Sequence, residues 1–128
     1  MSNDQTATIR QLRELVNKFR KERDWNKATP AMFAKDIAVE AGELLDHFVW
    51  DENAYLKDAD IAKEIKYELV DVLYAVLMMS EALKVDLTIT LKKKLTILAK
   101  KYPAEQCRQH KGDISWVWKQ RKKFRNKK

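Results

Sequence analysis

The chain has 128 residues, of which 26 are basic and 19 acidic, giving a net charge of +7. This length suffices for one domain with a hydrophobic core. The single cysteine, Cys107, excludes an internal disulfide and a cysteine-based zinc site, which favours a reducing, cytoplasmic location. No uncharged run approaches the roughly 20 residues of a membrane span, and the first residues lack the apolar segment of a signal peptide. We therefore expect no membrane segment.

The chain contains only two glycines and two prolines, a composition that favours helices joined by short turns. Apolar stripes at helical spacing predict four helices: 6–24, capped by Thr6 or Thr8; 29–50, opened by Thr29 and Pro30; 60–83, capped by Asp60; and 87–102, ended by Pro103. The first helix carries basic residues that are most simply a solvated face, with a neighbouring phosphate site as the alternative for a few of them: Arg10, Arg13, Lys18, Arg20, Lys21 and Arg23. The fold class that follows is all-α and resembles a four-helix bundle.

The excess positive charge lies at the C-terminal end. Residues 111–128 carry eight basic residues and one acid, whereas residues 1–110 are neutral overall. We therefore predict a folded domain of residues 1–110 and an extension of residues 111–128, with a short amphipathic segment around Trp116 and Trp118 before a basic tail from Arg121. Such a tail is typical of a solubilising end, although basic tails also bind nucleic acids through salt-sensitive phosphate contacts.

Two pairs of acids interrupt the apolar stripes of the second and third predicted helices. Glu40 and Glu43 are three residues apart, and Glu68 and Asp71 repeat that spacing. At about 100° per residue, Glu40 and Glu68 fall at the centres of their stripes, and each partner falls at the edge. A carboxylate on a core-facing stripe costs several kcal/mol unless a cation compensates it. The arrangement therefore predicts carboxylates that converge on a cation.

Two interpretations of this cation follow: a basic side chain or a metal ion. A lysine or arginine of a neighbouring helix commonly satisfies a single buried acid. Two acids at matched offsets on two helices repel each other unless a metal lies between them, and such perturbed acids cluster at functional sites. All-oxygen ligands suit Mg²⁺, Mn²⁺ or Ca²⁺, and Mg²⁺ keeps open positions for water and substrate phosphates. The natural substrate of such a site is a phosphate ester or anhydride.

Other side chains are candidates for substrate contacts. Lys94 and Lys101 flank the stripe of the fourth helix and suit a phosphate site. Trp25, at the end of the first helix, is either a plug on the core or the wall of a base pocket, and Trp50 has the same two readings. On spacing alone His47 is a candidate general base, although a histidine at the surface or at the core edge is the simpler interpretation.

Residues from about 9 to 105 resemble a known family. Glu40-x-x-Glu43, a gap of 24 residues and Glu68-x-x-Asp71 are similar to the signature of the MazG-like and dCTP pyrophosphatase group of all-α nucleoside triphosphate pyrophosphohydrolases. Four further segments agree in the same order: Glu22-Arg23-Asp24-Trp25, Thr29-Pro30, the run from Ala38 to Trp50, and Lys101-Tyr102-Pro103.

The resemblance implies a MazG-type fold and hydrolysis of a nucleoside triphosphate to the monophosphate and pyrophosphate. It implies Mg²⁺, with Mn²⁺ as the alternative, held by Glu40, Glu43, Glu68 and Asp71. The functional unit would be a homodimer or homotetramer. On this reading Glu43 and Glu68 orient the attacking water as catalytic residues. The substrate-binding residues would be two groups: Trp25 and Trp50 for the base, and Lys94, Lys101 and Tyr102 for the phosphates.

The chain departs from the family pattern at three positions. Ala28 stands where a histidine precedes the proline, Ala75 where a tyrosine follows the second acidic pair, and Leu98 where an asparagine precedes Lys-Tyr-Pro. We interpret these changes as altered nucleotide specificity or weak activity. Two other functions follow from the same residues: a metal- and nucleotide-binding regulator without turnover, and a nucleic-acid-binding helical module that uses the basic tail.

Overall fold

The computed structural model describes residues 2–125, and its ordered elements within that range are helices. These are α1 (Ile9–Lys21), α2 (Pro30–Val49), a short 3-10 helix (Ala54–Leu56), α3 (Ala59–Ala82), α4 (Leu87–Lys101), α5 (Ala104–Gln109) and α6 (Ile114–Arg125). The prediction of an all-α chain is confirmed for the described residues. In that part of the chain no helix is long and apolar enough to cross a membrane.

The chain divides into two compact units, Met1–Val85 and Asp86–Lys128. The boundary predicted at residue 110 falls inside the second unit, just after α5. The first unit contains α1, α2, the 3-10 helix and α3, and therefore all four predicted metal-binding acids. The second unit contains α4, α5 and α6.

Helix capping explains where the helices of the first unit begin. The Thr8 hydroxyl accepts from Gln11 N–H, and the Gln11 side chain accepts from Thr8 N–H, which forms a reciprocal capping box at α1. Thr29 caps α2 ahead of Pro30. The predicted cap of α3 was wrong, because Asp58 rather than Asp60 accepts the first free N–H groups of the helix. Each cap satisfies backbone donors that have no partner within the helix.

The centre of the first unit is the contact between α2 and α3, and α1 packs on α3. His47, late in α2, faces Glu64 and Glu68, whereas Phe33, early in α2, shares a contact to Arg20 with Tyr74 of α3. These two sets of contacts show that α2 and α3 run antiparallel. Among the described residues of the first unit, few apolar residues are buried: Phe33, Ala75, Leu77 and Met78.

The second unit holds α6 against α4. The Trp116 ring stacks on His110 with ring centroids 5.0 Å apart, and Asp113 accepts from Trp116 N–H at the start of α6. Gly112 adopts φ 81° between α5 and α6, a left-handed conformation that suits glycine. The predicted amphipathic segment is thus the start of a regular helix that extends to Arg125. The last three residues of the predicted basic tail lie outside the described residues.

Candidate functional site

Three of the four predicted acids meet between α2 and α3. Glu40, Glu68 and Asp71 each offer a carboxylate oxygen, and these oxygens lie within 4.8 Å of one another. Glu40 and Glu68 are half-buried and Asp71 is exposed. The i, i+3 spacing on α3 places Glu68 and Asp71 one turn apart on one face, and the antiparallel packing brings Glu40 to the same level. The group is therefore a consequence of helix spacing and helix pairing together.

Glu43, the fourth predicted acid, lies outside this group of three oxygens and is exposed. It still acts on the group through its charge. Burial, and then the negative charges of Glu43, Asp71 and Glu68, raise the pKa of Glu40 above its ordinary value. Asp36 adds a smaller effect in the same direction. Glu40 thus experiences the charge of all three partner acids predicted from the sequence.

Within the described residues, no lysine or arginine forms an ion pair with Glu40, Glu43, Glu68 or Asp71. The simpler interpretation was that a lysine or arginine of a neighbouring helix compensates the acids, and no such side chain pairs with them within the described residues. In addition, Glu68 Oε2 is buried and has no hydrogen-bond partner. A buried carboxylate oxygen without a donor is costly and calls for an explanation such as an ion. The donor set, three carboxylates, fits Mg²⁺ or Mn²⁺.

His47 lies beside this acid group. Its Nε2 is 3.9 Å from Glu68 Oε1, and its Nδ1 is 3.9 Å from Glu64 Oε2. Both distances exceed that of a hydrogen bond. The histidine is therefore a neighbour of the acids at the edge of the core, with both ring nitrogens directed at carboxylates. The proximity of Glu64 was not predicted, although Glu64 and Glu68 stand four residues apart and share one helix face.

The second feature of the first unit is a cavity of about 390 Å³. Its apolar walls are Trp25, Ala28, Phe33 and Met78, and its polar lining includes Asn17, Arg20 and Glu81. The volume falls in the range of about 300–1,000 Å³ that is typical of small-molecule sites. Trp25 remains 52% exposed, so its ring is only partly covered by the core.

The cavity and the acids lie on the same side of the α2–α3 pair. Phe33 precedes Glu40 by seven residues and Met78 follows Asp71 by seven. Seven residues return almost to the same face of a helix and advance about 10 Å along it. Because the helices are antiparallel, both displacements lead toward the same end of the pair. Phe33 and Met78, which line the cavity, therefore lie about 10 Å along the helices from Glu40 and Asp71.

Trp50 does not contribute to this cavity within its own chain. It is the C-cap residue of α2 and is 92% exposed, the largest exposure among the large apolar side chains of the described residues. The neighbouring Phe48 packs edge-on against Tyr55, with centroids 6.0 Å apart. The reading of Trp50 as a core plug is therefore wrong, and its role as a base wall stays a prediction.

The predicted phosphate-binding residues belong to the second unit. Lys94 is exposed on α4, and Lys101, at the end of α4, places its ammonium 5.3 Å from the centre of the Tyr102 ring. Tyr102 also contacts Trp116, with centroids 6.3 Å apart. The contact of Lys101 with an aromatic face is a cation–π pair, which by itself is a structural role. A phosphate-binding role for these three residues stays a prediction.

Two residues of α1 were wrongly assigned to a solvated face. The Arg13 side chain is only 19% exposed, lies 3.6 Å from Glu81, and donates to the Val85 carbonyl at 3.4 Å. Arg20 is half-buried and donates to Tyr74 and to the Trp25 carbonyl. Arg20 is placed like an apolar residue of α1, since it follows Val16 by four. This spacing is the sequence feature that indicated a partly buried position for Arg20.

Comparison with known proteins assigns no family to the chain. The chain matches no protein-family model, and no curated protein gives a significant match to it.

Proposed function

We propose that this chain is a Mg²⁺-dependent nucleoside triphosphate pyrophosphohydrolase of the MazG-like type, built on a four-helix bundle-like domain. The observation that carries the proposal is the group of Glu40, Glu68 and Asp71, whose carboxylate oxygens lie within 4.8 Å of one another without a lysine or arginine partner in the described residues. Family membership and substrate class rest on the motif resemblance from Glu22 to Pro103.

The metal would be held by Glu40, Glu68 and Asp71, with Glu43 as the fourth acid. When bound, Mg²⁺ neutralises charge on the triphosphate oxygens. The partnerless Oε2 of Glu68 and the raised pKa of Glu40, caused first by burial and then by the charges of its neighbours, both support a role for these acids in binding a cation. Mn²⁺ has the same preference for oxygen ligands and is the alternative ion.

The reaction forms a bond between a water oxygen and the α-phosphorus and breaks the bond from that phosphorus to the bridging oxygen of the departing pyrophosphate. Glu43 or Glu68 orients this water and accepts its proton on a carboxylate oxygen. Glu43 suits the role because it is exposed beside the group of three acids. Glu68 suits it because one of its oxygens has no other hydrogen-bond partner.

The cavity beside Trp25 suits the base of the substrate. It lies about 10 Å beyond the acids along α2 and α3, on their side of the pair, and its walls are an indole and a phenyl ring. Aromatic faces stack on any base, so this pocket provides affinity without fixing the choice of base. Ala28 lines it where the resembling family has histidine, which leaves more room for the base.

A second copy of the chain is the proposed partner. Trp50 is 92% exposed, and Leu45, Leu69, Val70 and Leu73 of α2 and α3 are also exposed. Leu69 and Leu73 are one turn apart on α3, and neighbouring exposed apolar side chains of this kind mark interaction surfaces. A homodimer or homotetramer would cover them and would give Trp50 a place against a pocket of another subunit.

The test is hydrolysis of a panel of canonical and modified ribo- and deoxyribonucleoside triphosphates in ¹⁸O-labelled water with Mg²⁺. We expect monophosphate and pyrophosphate, with the label in the monophosphate because water attacks the α-phosphorus. Glu68→Gln keeps the size of the side chain but removes its charge, and it should lower kcat by at least about a hundredfold, in the range of a lost acid–base residue. Asp60→Asn, an acid of the first turn of α3 outside the group, is the matched control.

Label in pyrophosphate would mean attack at the β-phosphorus, and diphosphate with phosphate would mean cleavage at another bond. Either result contradicts the proposed reaction. Tight Mg²⁺-dependent nucleotide binding without turnover would favour a regulator instead. Two departures from the family pattern, Ala75 and Leu98, favour that alternative. Ala75, where the resembling family has tyrosine, is only 1% exposed and cannot contact a substrate.

A further inference from the structure

We infer that Arg20 is a positioning residue that fixes the Trp25 wall of the cavity relative to the acid-bearing helix α3. The inference rests on the proposed function for the identity of the ligand, a nucleotide base. The contacts of Arg20 that carry it involve neither a metal nor a ligand.

Arg20 holds the backbone of Trp25 at both of its polar groups. The Trp25 N–H donates to the Arg20 carbonyl at 3.0 Å, and one arm of the Arg20 guanidinium donates to the Trp25 carbonyl at 2.8 Å. The segment between them turns sharply, because Asp24 adopts φ 55°, a left-handed conformation that is uncommon outside glycine. One side chain thus closes a strained turn around the residue that forms the cavity wall.

The other arm of the same guanidinium reaches α3. It donates to the Tyr74 hydroxyl at 2.9 Å, and Tyr74 follows Asp71 by three residues. The guanidinium also lies over the Phe33 ring, 5.1 Å from its centre, so it contacts α2 as well. Arg20 therefore connects three elements: the turn that carries Trp25, the α2 wall of the cavity, and the helix that carries Glu68 and Asp71.

The consequence concerns substrate binding more than the chemical step. A base stacked on Trp25 and a triphosphate held by the acids belong to one molecule, so the spacing between the two subsites enters its affinity. Lysine preserves the charge of Arg20 but lacks the planar fork that serves two acceptors at once. The loss of this fork should release the indole while the acids keep their places.

The experiment compares Arg20→Lys with Arg10→Lys. Arg10 is the matched control, because it is an exposed arginine of the same helix, α1, and does not line the cavity. For the best substrate of the panel we expect Arg20→Lys to raise KM about tenfold with kcat within about twofold, since a charge-assisted hydrogen bond corresponds to roughly that factor. Tyr74→Phe removes one of the two arms and should raise KM by a smaller factor.

A second readout requires no activity. With Trp50, Trp116 and Trp118 replaced by Phe, the emission of Trp25 reports on its own exposure, and the acrylamide quenching constant measures it. We expect Arg20→Lys to raise that constant in the ligand-free protein and to weaken the fluorescence change on addition of a non-hydrolysable nucleoside triphosphate. Arg10→Lys should change neither.

Three outcomes separate the two proposals. Hydrolysis by the wild type with equal KM and equal quenching in both lysine variants would overturn the inference and leave the proposed function intact. A fall in kcat at constant KM would also overturn it, because that result would place Arg20 in the chemical step. If the wild type neither hydrolyses nor binds nucleotides, the proposed function fails, and equal quenching of Trp25 in the two variants would then decide against Arg20 as its support.

Discussion

At Glu40, burial and neighbouring negative charges both oppose ionisation of the carboxyl group. It lies half-buried on α2, and its pKa is raised first by burial and then by the charges of Glu43, Asp71 and Glu68. Ionised Glu40 is therefore unfavourable in the folded, metal-free protein. The unfolded chain has no such restriction, so the folded state binds a proton at this position more tightly than the unfolded state does.

This difference predicts a pH-dependent effect of Glu40→Gln. The contribution of Glu40 to folding stability is fully present below its unfolded pKa of about 4.3 and is lost as pH rises through the raised folded pKa. In EDTA, we expect the Tm of Glu40→Gln to exceed that of the wild type near neutral pH, and the difference to shrink toward about pH 4. Thermal unfolding followed by circular dichroism across this range measures it.

Mg²⁺ provides the control for the same variant. A cation that binds only the folded protein raises its Tm, so we expect Mg²⁺ to stabilise the wild type more than Glu40→Gln. A variant that is less stable than the wild type at every pH in EDTA would contradict the argument, because it would show that the ionised carboxylate stabilises the metal-free fold.

Single residues also show which features of the site the sequence predicts and which it does not. The acids were predictable because a charge within an apolar stripe is conspicuous. Arg20 had only a weak signal, its position four residues after Val16, because a basic residue on an amphipathic helix has much the same appearance whether it is solvated or bonded. The packing of α1 on α3 brings Tyr74 within reach of its guanidinium, and Tyr74 is 54 residues away in the sequence.

At the scale of elements, capping determines where α3 begins. Asp58 Oδ1 accepts from the N–H groups of Asp60 and Ile61 at 2.9 and 3.3 Å. Asp60 lies in the first turn and interacts with the helix end through its charge alone. The sequence offers two acids two residues apart, and propensity alone does not choose between them.

We expect Asp58→Ala to lower the free energy of unfolding by about 1 kcal/mol, the usual cost of a lost N-cap. Asp60→Ala should cost less, about 0.3–0.5 kcal/mol, because it removes only a charge near the helix N-terminus. Urea denaturation of the two variants makes the comparison. An equal or larger loss in Asp60→Ala would contradict the assignment of the cap.

The other elements follow the same division between local and tertiary signals. The ends of α2 and α4 agree with prediction within about one residue because Thr29-Pro30 and Pro103 are strong local signals. Helix α5 was not predicted, since its six residues are too short to display a period. Helix α6 extends through Arg121 to Arg125, where a free basic end was expected. Deletion of residues 119–128 would therefore cut through a helix.

At the scale of the whole molecule, the notable property is how little apolar surface is buried. Four apolar residues are buried in the described part of the chain, all of them in the first unit. Meanwhile Leu69 is 58% exposed, and Val70 and Leu73 beside it on α3 are exposed as well. A surface of this kind is consistent with a chain that completes its apolar contacts with a second copy.

We therefore expect the wild type to elute as a dimer or tetramer and the double variant Leu69→Lys/Leu73→Lys to approach the monomer mass of 15.1 kDa. Two charges introduced on an apolar interface must either be desolvated or separate the subunits. Light scattering coupled to size-exclusion chromatography gives the masses, with Lys63→Ala as a polar-face control. A monomeric wild type would contradict the proposed assembly.

The sequence by itself determined the helical class, the strong helix boundaries and the position of every acid in the candidate centre. These features depend on periods and caps that span a few residues, so they are legible without knowledge of the fold. The tertiary structure decided which acids meet, which left Glu43 outside the group of three, placed Arg20 against Tyr74, and left Trp50 exposed. Those outcomes depend on the antiparallel pairing of α2 and α3 and on α1 against α3, contacts between residues far apart in sequence that no local pattern encodes.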